Sequence, residues 1–210
     1  MPALRNFKPF FVNSNLSIGN VRCSDADGLL RNAAGNTGNS YITYSLIKST
    51  VGDLSGISHI PNIYEYDFKN ADRDAEKVKG EYTHVFLILQ DQIRIEESYN
   101  LRLPYEGIIS LLKKCGKPVV VAGLGANSFG GFDPNFHKML NPQLIRFLKE
   151  LSDLCPNIGI RGEFTSEVLK KLGIRNTQII GCPSFFETGP NRVVKKPDFQ
   201  NLKPVLTSPL

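Results

Sequence analysis

Lys117-Pro118-Val119-Val120-Val121-Ala122-Gly123-Leu124-Gly125-Ala126-Asn127-Ser128 is the stretch that decides the fold. Pro118 to Ala122 is the clearest strand of the sequence, and a glycine-rich loop follows it from Gly123 to Pro134. Thr83-His84-Val85-Phe86-Leu87-Ile88-Leu89 is a second unbroken apolar run. Runs that are apolar throughout, rather than alternating, belong to strands buried on both faces, as in parallel sheets.

On the N-terminal side of these strands, Phe10-Phe11-Val12 reads as a short strand and Asn13 to Asp27 as polar loop. Tyr41 to Ser49 is a helix. Ile60 to Tyr66 is a strand in which Tyr64 and Tyr66 alternate with Glu65, and the charged run Asp67 to Glu81 is helix or loop. Pro104 to Cys115 forms a helix with Ile108, Ile109, Leu111 and Leu112 turned inward. On the C-terminal side, Asn141-Pro142 opens a helix, asparagine as cap and proline at the first helical position. That helix carries Leu144, Ile145, Leu148, Leu151 and Leu154 at helical spacing. Asn157 to Ile160 is a short strand, Glu163 to Leu172 a helix closed by Gly173, and Thr177 to Ile180 the next strand. Strands alternating with helices predict βαβ units: an α/β fold with a Rossmann-like parallel sheet and helices on both faces. Residues 1–34 read as an N-terminal extension holding the first strand region, 35–186 as the domain and 187–201 as a polar, proline-containing linker. Residues 202–210 read as a strand that closes the sheet or begins a truncated second domain.

With 210 residues, 41% of them hydrophobic, the chain can bury a core without disulfides or metals. Its net charge is +5 and its pI about 9.0. The excess lies in pairs, Lys113-Lys114, Lys170-Lys171 and Lys195-Lys196, and no basic tract is interleaved with aromatic residues. That pattern argues against nucleic acid and fits a small anionic substrate or an acidic polymer. Cys23, Cys115, Cys155 and Cys182 form no Cys-x-x-Cys pair, and His59, His84 and His137 stand far from one another and from ligand spacing. Free thiols are expected, with neither metal nor cofactor. No apolar run reaches the ~18 residues of a membrane span, and the first residues lack a signal-peptide core. The expectation is a cytoplasmic protein without membrane insertion, with a loose peripheral contact left open.

In an open parallel sheet, ligands bind beyond the carboxyl ends of the strands. Three segments follow predicted strands there: Gly123 to Ser128, Arg161-Gly162-Glu163 and Gly181-Cys182-Pro183-Ser184. Gly35-Asn36-Thr37-Gly38-Asn39-Ser40, a tight polar turn before a helix, joins them. Helix N-termini favour anions, and Asn36, Asn39 and Ser40 add donors without a repelling carboxylate, so this turn is half of an anion site or a helix cap. Arg161 offers a planar fork to a carboxylate or phosphate; the alternative is a surface pair with Glu163 or Glu167. Thr165 and Ser166 either cap their helix or donate to the same anion. Gly123 to Ser128 nearly matches a dinucleotide fingerprint, but Ser128 stands at its third glycine and no acidic residue is placed to hold a ribose, which argues against NAD. Cys182-Pro183 reads as a rigid turn, His137 as structural, and Glu96-Glu97 as a solvated face.

Gly35-Asn36-x-Gly38-Asn39, the Val119 to Ser128 stretch and the block from Ile158 through Arg161-Gly162-Glu163-Phe164-Thr165-Ser166 to Ile180-Gly181-Cys182-Pro183-Ser184 together resemble the polysaccharide pyruvyl transferase family. The resemblance spans about residues 30–186. It implies one half of a GT-B-like architecture, with the active site between two Rossmann-like domains. It implies transfer of a pyruvyl group from phosphoenolpyruvate onto two hydroxyls of a sugar or polysaccharide acceptor, as a ketal, with release of phosphate. Arg161 falls on the family's arginine and, with Asn36, is the residue assigned to the chemistry. Gly35, Gly38, Asn39, Ser40, Gly123, Gly125, Asn127, Ser128, Ser166, Pro183 and Ser184 are assigned to substrate binding. Two departures stand out. Many members carry aspartate where this chain has Cys182, and members continue through a second domain that lends basic residues and a histidine to the cleft. A partner domain or a second copy is therefore an expected partner. The alternatives are a nucleotide-sugar-dependent relative on the same fold, or a non-catalytic ligand-binding or assembly module.

Overall fold

Our computed structural model of the chain describes residues 7–15, 37–52, 57–95, 103–128, 131, 133–189 and 193. Strand β1 (Pro9–Val12) is followed by helix α1 (Thr37–Thr50), β2 (His59–Ile60), α2 (Ala71–Glu81), β3 (His84–Ile88) and β4 (Ile93–Arg94). Then come α3 (Tyr105–Cys115), β5 (Val119–Leu124), β6 (Ala126–Asn127), α4 (Pro142–Leu154), β7 (Ile158–Ile160), α5 (Glu163–Lys171) and β8 (Thr177–Ile179). Short 3-10 turns lie at Phe68–Asn70, Phe136–Lys138 and Pro183–Thr188.

Six strands form one sheet in the order β2-β1-β3-β5-β7-β8, every pair parallel. Val85 to Ile88 lie opposite Val119 to Ala122, so the two apolar runs are neighbours at the centre. The order runs outward in both directions from β1 and β3, which makes the gap between their carboxyl ends the topological switch point of a doubly wound sheet.

Helices cover both faces, unequally. Ile42, Leu46 and Ile47 of α1 pack on Phe11, Phe86, Ile88 and Ala122. On the other face, α2, α3, α4 and α5 bury Val78, Ile108, Leu112, Leu148, Leu151 and Leu169 against Val85, Leu87, Val121, Ile158 and Ile160. Alternation within β3 accounts for this: Phe86 and Ile88 point to α1, Val85 and Leu87 to the other helices. The α4 start is as the sequence predicts, with Asn141 accepting from the Gln143 N–H at 2.7 Å and Pro142 first in the helix.

Four boundaries differ from the sequence reading. Helix α1 starts at Thr37 rather than Tyr41, so Gly38, Asn39 and Ser40 of the expected polar turn form its first turn. The strand expected over Ile60 to Tyr66 stops at Ile60, because Pro61 has no N–H to continue the ladder and Asn62 turns the chain by accepting from the Tyr64 N–H at 3.0 Å. The charged stretch from Asp67 resolves into a 3-10 turn capped by Asp67, then α2. The loop expected from Gly123 begins later: β5 runs to Leu124, and Ala126–Asn127 pairs with Ile93–Arg94 as a second, two-stranded sheet. The expected closing strand at 202–210 and nearly all of the linker lie outside the described residues.

Candidate functional site

The switch point is built from backbone held in an unusual conformation. Asn13, Asn15 and Gln90 have φ of 61°, 51° and 45°, the left-handed region that side chains rarely adopt. They lie just beyond β1 and β3. Asn13 is buried; its amide donates to the Ile88 carbonyl at 2.7 Å and its oxygen accepts from the Ile63 N–H at 3.4 Å, tying the end of β1 to β3 and to the turn after β2. Ser40, in the first turn of α1, donates to the Asn15 carbonyl at 2.5 Å. The Gln90 carbonyl accepts from the Gly125 N–H at 2.5 Å, which locks the segment after β3 to the segment after β5.

Arg161 leaves the end of β7 across this edge. Its Nε donates to the Gly123 carbonyl at 2.8 Å. Its Nη2 is buried and has no hydrogen-bond partner among the described residues. The pairing with Glu163 or Glu167 that the sequence left open is absent among the described ion pairs. The path is tight: a Cβ on Gly125 would meet Arg161 Cδ at 3.0 Å, so the arginine would have to shift by a few tenths of an ångström. A Cβ on Gly123, at φ 78°, would strike the Pro183 ring at 2.6 Å, so the turn after β8 packs directly on the end of β5.

Two clefts flank the arginine. One, of about 360 Å³, is lined by Gly38, Asn39, Tyr41, Ile42, Asp91, Arg161, Cys182 and Ser184. The other, of about 380 Å³, is lined by Asp91, Gly125, Ala126, Asn127, Arg161, Gly162, Glu163, Phe164 and Thr165. Arg161 and Asp91 belong to both walls. Asp91 Oδ2 accepts from Asn127 Nδ2 at 3.3 Å. The larger cavity of about 500 Å³, between Phe68, the start of α3 and α4, holds none of the predicted site residues. Tyr41 at the rim of the first cleft donates to Glu187, which also pairs with Lys48 at 3.3 Å, so α1 is bound to the 3-10 turn after β8.

The structure brings Gly38, Asn39, Gly125, Asn127, Arg161 and Ser184 onto these walls. Gly123, Ser40 and Pro183 support them from behind through the contacts above. Ser128 turns away and donates to the Gly131 carbonyl at 2.6 Å. Ser166 is buried within α5 and lines neither cleft, while Thr165 accepts from the Ala126 N–H at 2.9 Å; neither side chain caps the helix, whose cap position is Gly162. Gly35 and Asn36 lie outside the described residues. Sequence reasoning missed Asp91, Tyr41 and the left-handed trio. Asp91 was within reach, because it follows the predicted strand Thr83 to Leu89 at the same sheet edge.

Other reactive groups lie elsewhere. Ser14 Oγ and His59 Nδ1 are 2.6 Å apart, but Ser14 is fully buried, so this pair is a structural bond rather than an accessible nucleophile. Burial pushes the thiols of Cys115 and Cys155 up to about 11 and about 12. Among the described residues no three His, Cys, Asp or Glu side chains are grouped to hold a metal, and no helix is long and apolar enough to cross a membrane.

Apart from the end of β1, the edge from α1 to the turn after β8 falls within the span of one family model, that of polysaccharide pyruvyl transferase, which matches residues 36–208. No curated protein and no solved structure matches the chain. The match covers well over half the sequence, and the doubly wound parallel sheet agrees with the fold expected from the motifs. The chain belongs to the polysaccharide pyruvyl transferase family, a family of transferases.

Proposed function

We propose that this chain transfers the pyruvyl group of phosphoenolpyruvate to two hydroxyls of a sugar in a cell-surface polysaccharide or its precursor, releasing phosphate. Arg161 carries this reading: a guanidinium oriented by the Gly123 carbonyl, with a buried Nη2 that has no partner among the described residues, in the wall of both clefts. A buried donor of that kind costs free energy unless a ligand completes it. A carboxylate or phosphate does so at close range, and phosphoenolpyruvate carries both. The first turn of α1 lies across the cleft, where Gly38 and Asn39 favour the same negative charge. Gly35 and Asn36 precede this turn in sequence, and we assign them to the same pocket. Ser184 lines the same cleft from the turn after β8, its hydroxyl donating to Cys182 Sγ at 3.1 Å.

The proposed location is cytoplasmic, and the proposed architecture is the first half of a GT-B-like pair. A second domain or a partner copy would face the carboxyl edge of the sheet and supply the acid that protonates the donor's methylene carbon. Calorimetry with phosphoenolpyruvate tests the donor assignment. Wild type is expected to bind, and Arg161→Ala to lose affinity by about 30-fold or more, as for a truncated buried charge partner. A folded wild type that does not bind, or a mutant that binds equally, removes the reading. A nucleotide-sugar bound in place of phosphoenolpyruvate would move the chain to a different transfer reaction.

A further inference from the structure

The two clefts differ in chemistry although they share a wall. Gly38 and Asn39, in the first turn of α1, line the α1 side. Asp91, Asn127 and Glu163 put two carboxylates and an amide on the α5 side. Arg161 and Asp91 line both clefts; what the α5 side adds is the Glu163 carboxylate, which only accepts hydrogen bonds, and the Asn127 amide, which donates and accepts, a set suited to the hydroxyls of a neutral polyol. Among the described carboxylates, Asp91 alone lines both spaces. It is also held. Its Oδ2 accepts from Asn127, Asn127 is paired in β6 with Arg94 of β4, and the preceding residue, Gln90, is fixed in the left-handed region and bonded to Gly125.

Resting on the pyruvyl-transfer reading, we infer that the cleft of Asn127 and Glu163 receives the acceptor sugar and that Asp91 takes the proton from its attacking hydroxyl. The bond that forms joins that hydroxyl oxygen to the central carbon of the donor, which lies on the Arg161 side. A base serving it must therefore stand where the two clefts meet, as Asp91 does. The reaction balances without another reactant. The double bond of the donor takes a proton at its methylene carbon, the first hydroxyl adds to the central carbon and gives its proton to Asp91, and the carbon–oxygen bond to phosphate breaks with its electron pair on phosphate. The second hydroxyl then closes the ketal. Of the two hydroxyl protons, one ends in the new methyl group and one on the released phosphate.

The test uses the full chain, phosphoenolpyruvate, and methyl glucopyranoside, galactopyranoside and mannopyranoside as diol probes. Asp91→Asn keeps the shape and an oxygen for Asn127 but cannot take a proton. It is expected to bind phosphoenolpyruvate within about threefold of wild type while phosphate release falls by about 10²-fold or more. Asp91→Glu, which restores a carboxylate, is expected to regain part of that rate. Saturation-transfer NMR with phosphoenolpyruvate present is expected to show a hexoside contacting wild type, and a weaker contact in Glu163→Gln. With the chain at a concentration at which copies associate, phosphate release by Asp91→Asn at the wild-type rate overturns the inference, as does a wild type that binds phosphoenolpyruvate and a hexoside but releases no phosphate. So does an Asp91→Glu protein as inactive as Asp91→Asn, loss of donor binding in both variants, or absence of any hexoside contact with wild type. Failure of wild type to bind phosphoenolpyruvate removes the underlying reading, and the inference with it.

Discussion

Arg161 Cδ lies 3.0 Å from the point at which a side chain on Gly125 would begin. The carbonyl of Gln90 stands 3.4 Å from the same point, an ordinary contact, so the crowding of a methyl group there falls on Arg161. Gly125→Ala is expected to displace the arginine rather than the backbone, because the Gln90 carbonyl is bonded to the Gly125 N–H. Phosphoenolpyruvate affinity should fall about tenfold, roughly 1.4 kcal/mol, with the melting temperature little changed. Unaltered affinity would show that the guanidinium does not depend on this passage.

Asn13 is a stability residue at the switch point. Asn13→Ala removes the amide that satisfies the buried Ile88 carbonyl and leaves alanine at φ 61°. The combined loss of a buried hydrogen bond and left-handed strain is expected to cost about 2–4 kcal/mol. Urea unfolding measures it as a lower midpoint at constant slope. A change below about 0.5 kcal/mol, the size of an ordinary surface substitution, would contradict the bracing role assigned here.

Burial pushes the His59 pKa below the ordinary histidine value of about 6.5. As pH falls past that value, the unfolded chain takes up a proton that the folded ring resists, so stability drops until the folded pKa is passed and then levels off. Above about pH 6.5 the group contributes no pH dependence. Comparing urea midpoints at neutral and mildly acidic pH, wild type against His59→Asn, isolates this from the carboxylates. The wild type should lose more. Equal losses would mean that the ring protonates freely in the folded protein.

Thiol chemistry offers a check on the core. With pKa values raised to about 11 and about 12 by burial, Cys115 and Cys155 are expected to resist alkylation in native protein at pH 8 and to react once it is unfolded. Peptide mass spectrometry after brief iodoacetamide treatment reads both states. Rapid native labelling of either would place it outside the packed layers beneath α3 and α4.

Much of this was legible in the sequence, for a physical reason. The runs at Val85 and Val119 are apolar on both faces, and only a strand covered on both sides needs that, so the central pair and its neighbours announced themselves. Arg161 was legible because a cation directly after a short strand has few places to go. Except at the end of β2, what escaped was set by contacts distant in sequence. Pro61 and Asn62 end β2 through a turn that the tyrosine alternation disguised. Ala126–Asn127 becomes a strand only because Ile93–Arg94 lies alongside. Asn13 and Asn15 are of a type that tolerates left-handed backbone, but asparagine alone does not fix it and Gln90 carries no such signal; the bonds to Ile88, Ile63, Ser40 and Gly125 hold them there. The assignment of Ser166 overlooked that its position falls on the buried side of α5.

The bond from Arg161 Nε to the Gly123 carbonyl has a thermodynamic consequence. A free arginine loses about 2 kcal/mol of rotamer entropy when a ligand fixes it. Here much of that ordering is complete once the sheet has formed, and glycine at 125 keeps the channel for the side chain open. Ligand capture by this edge should therefore resemble a key meeting a cut lock. Its entropy cost falls mainly on the ligand, and the arginine's contribution appears as heat.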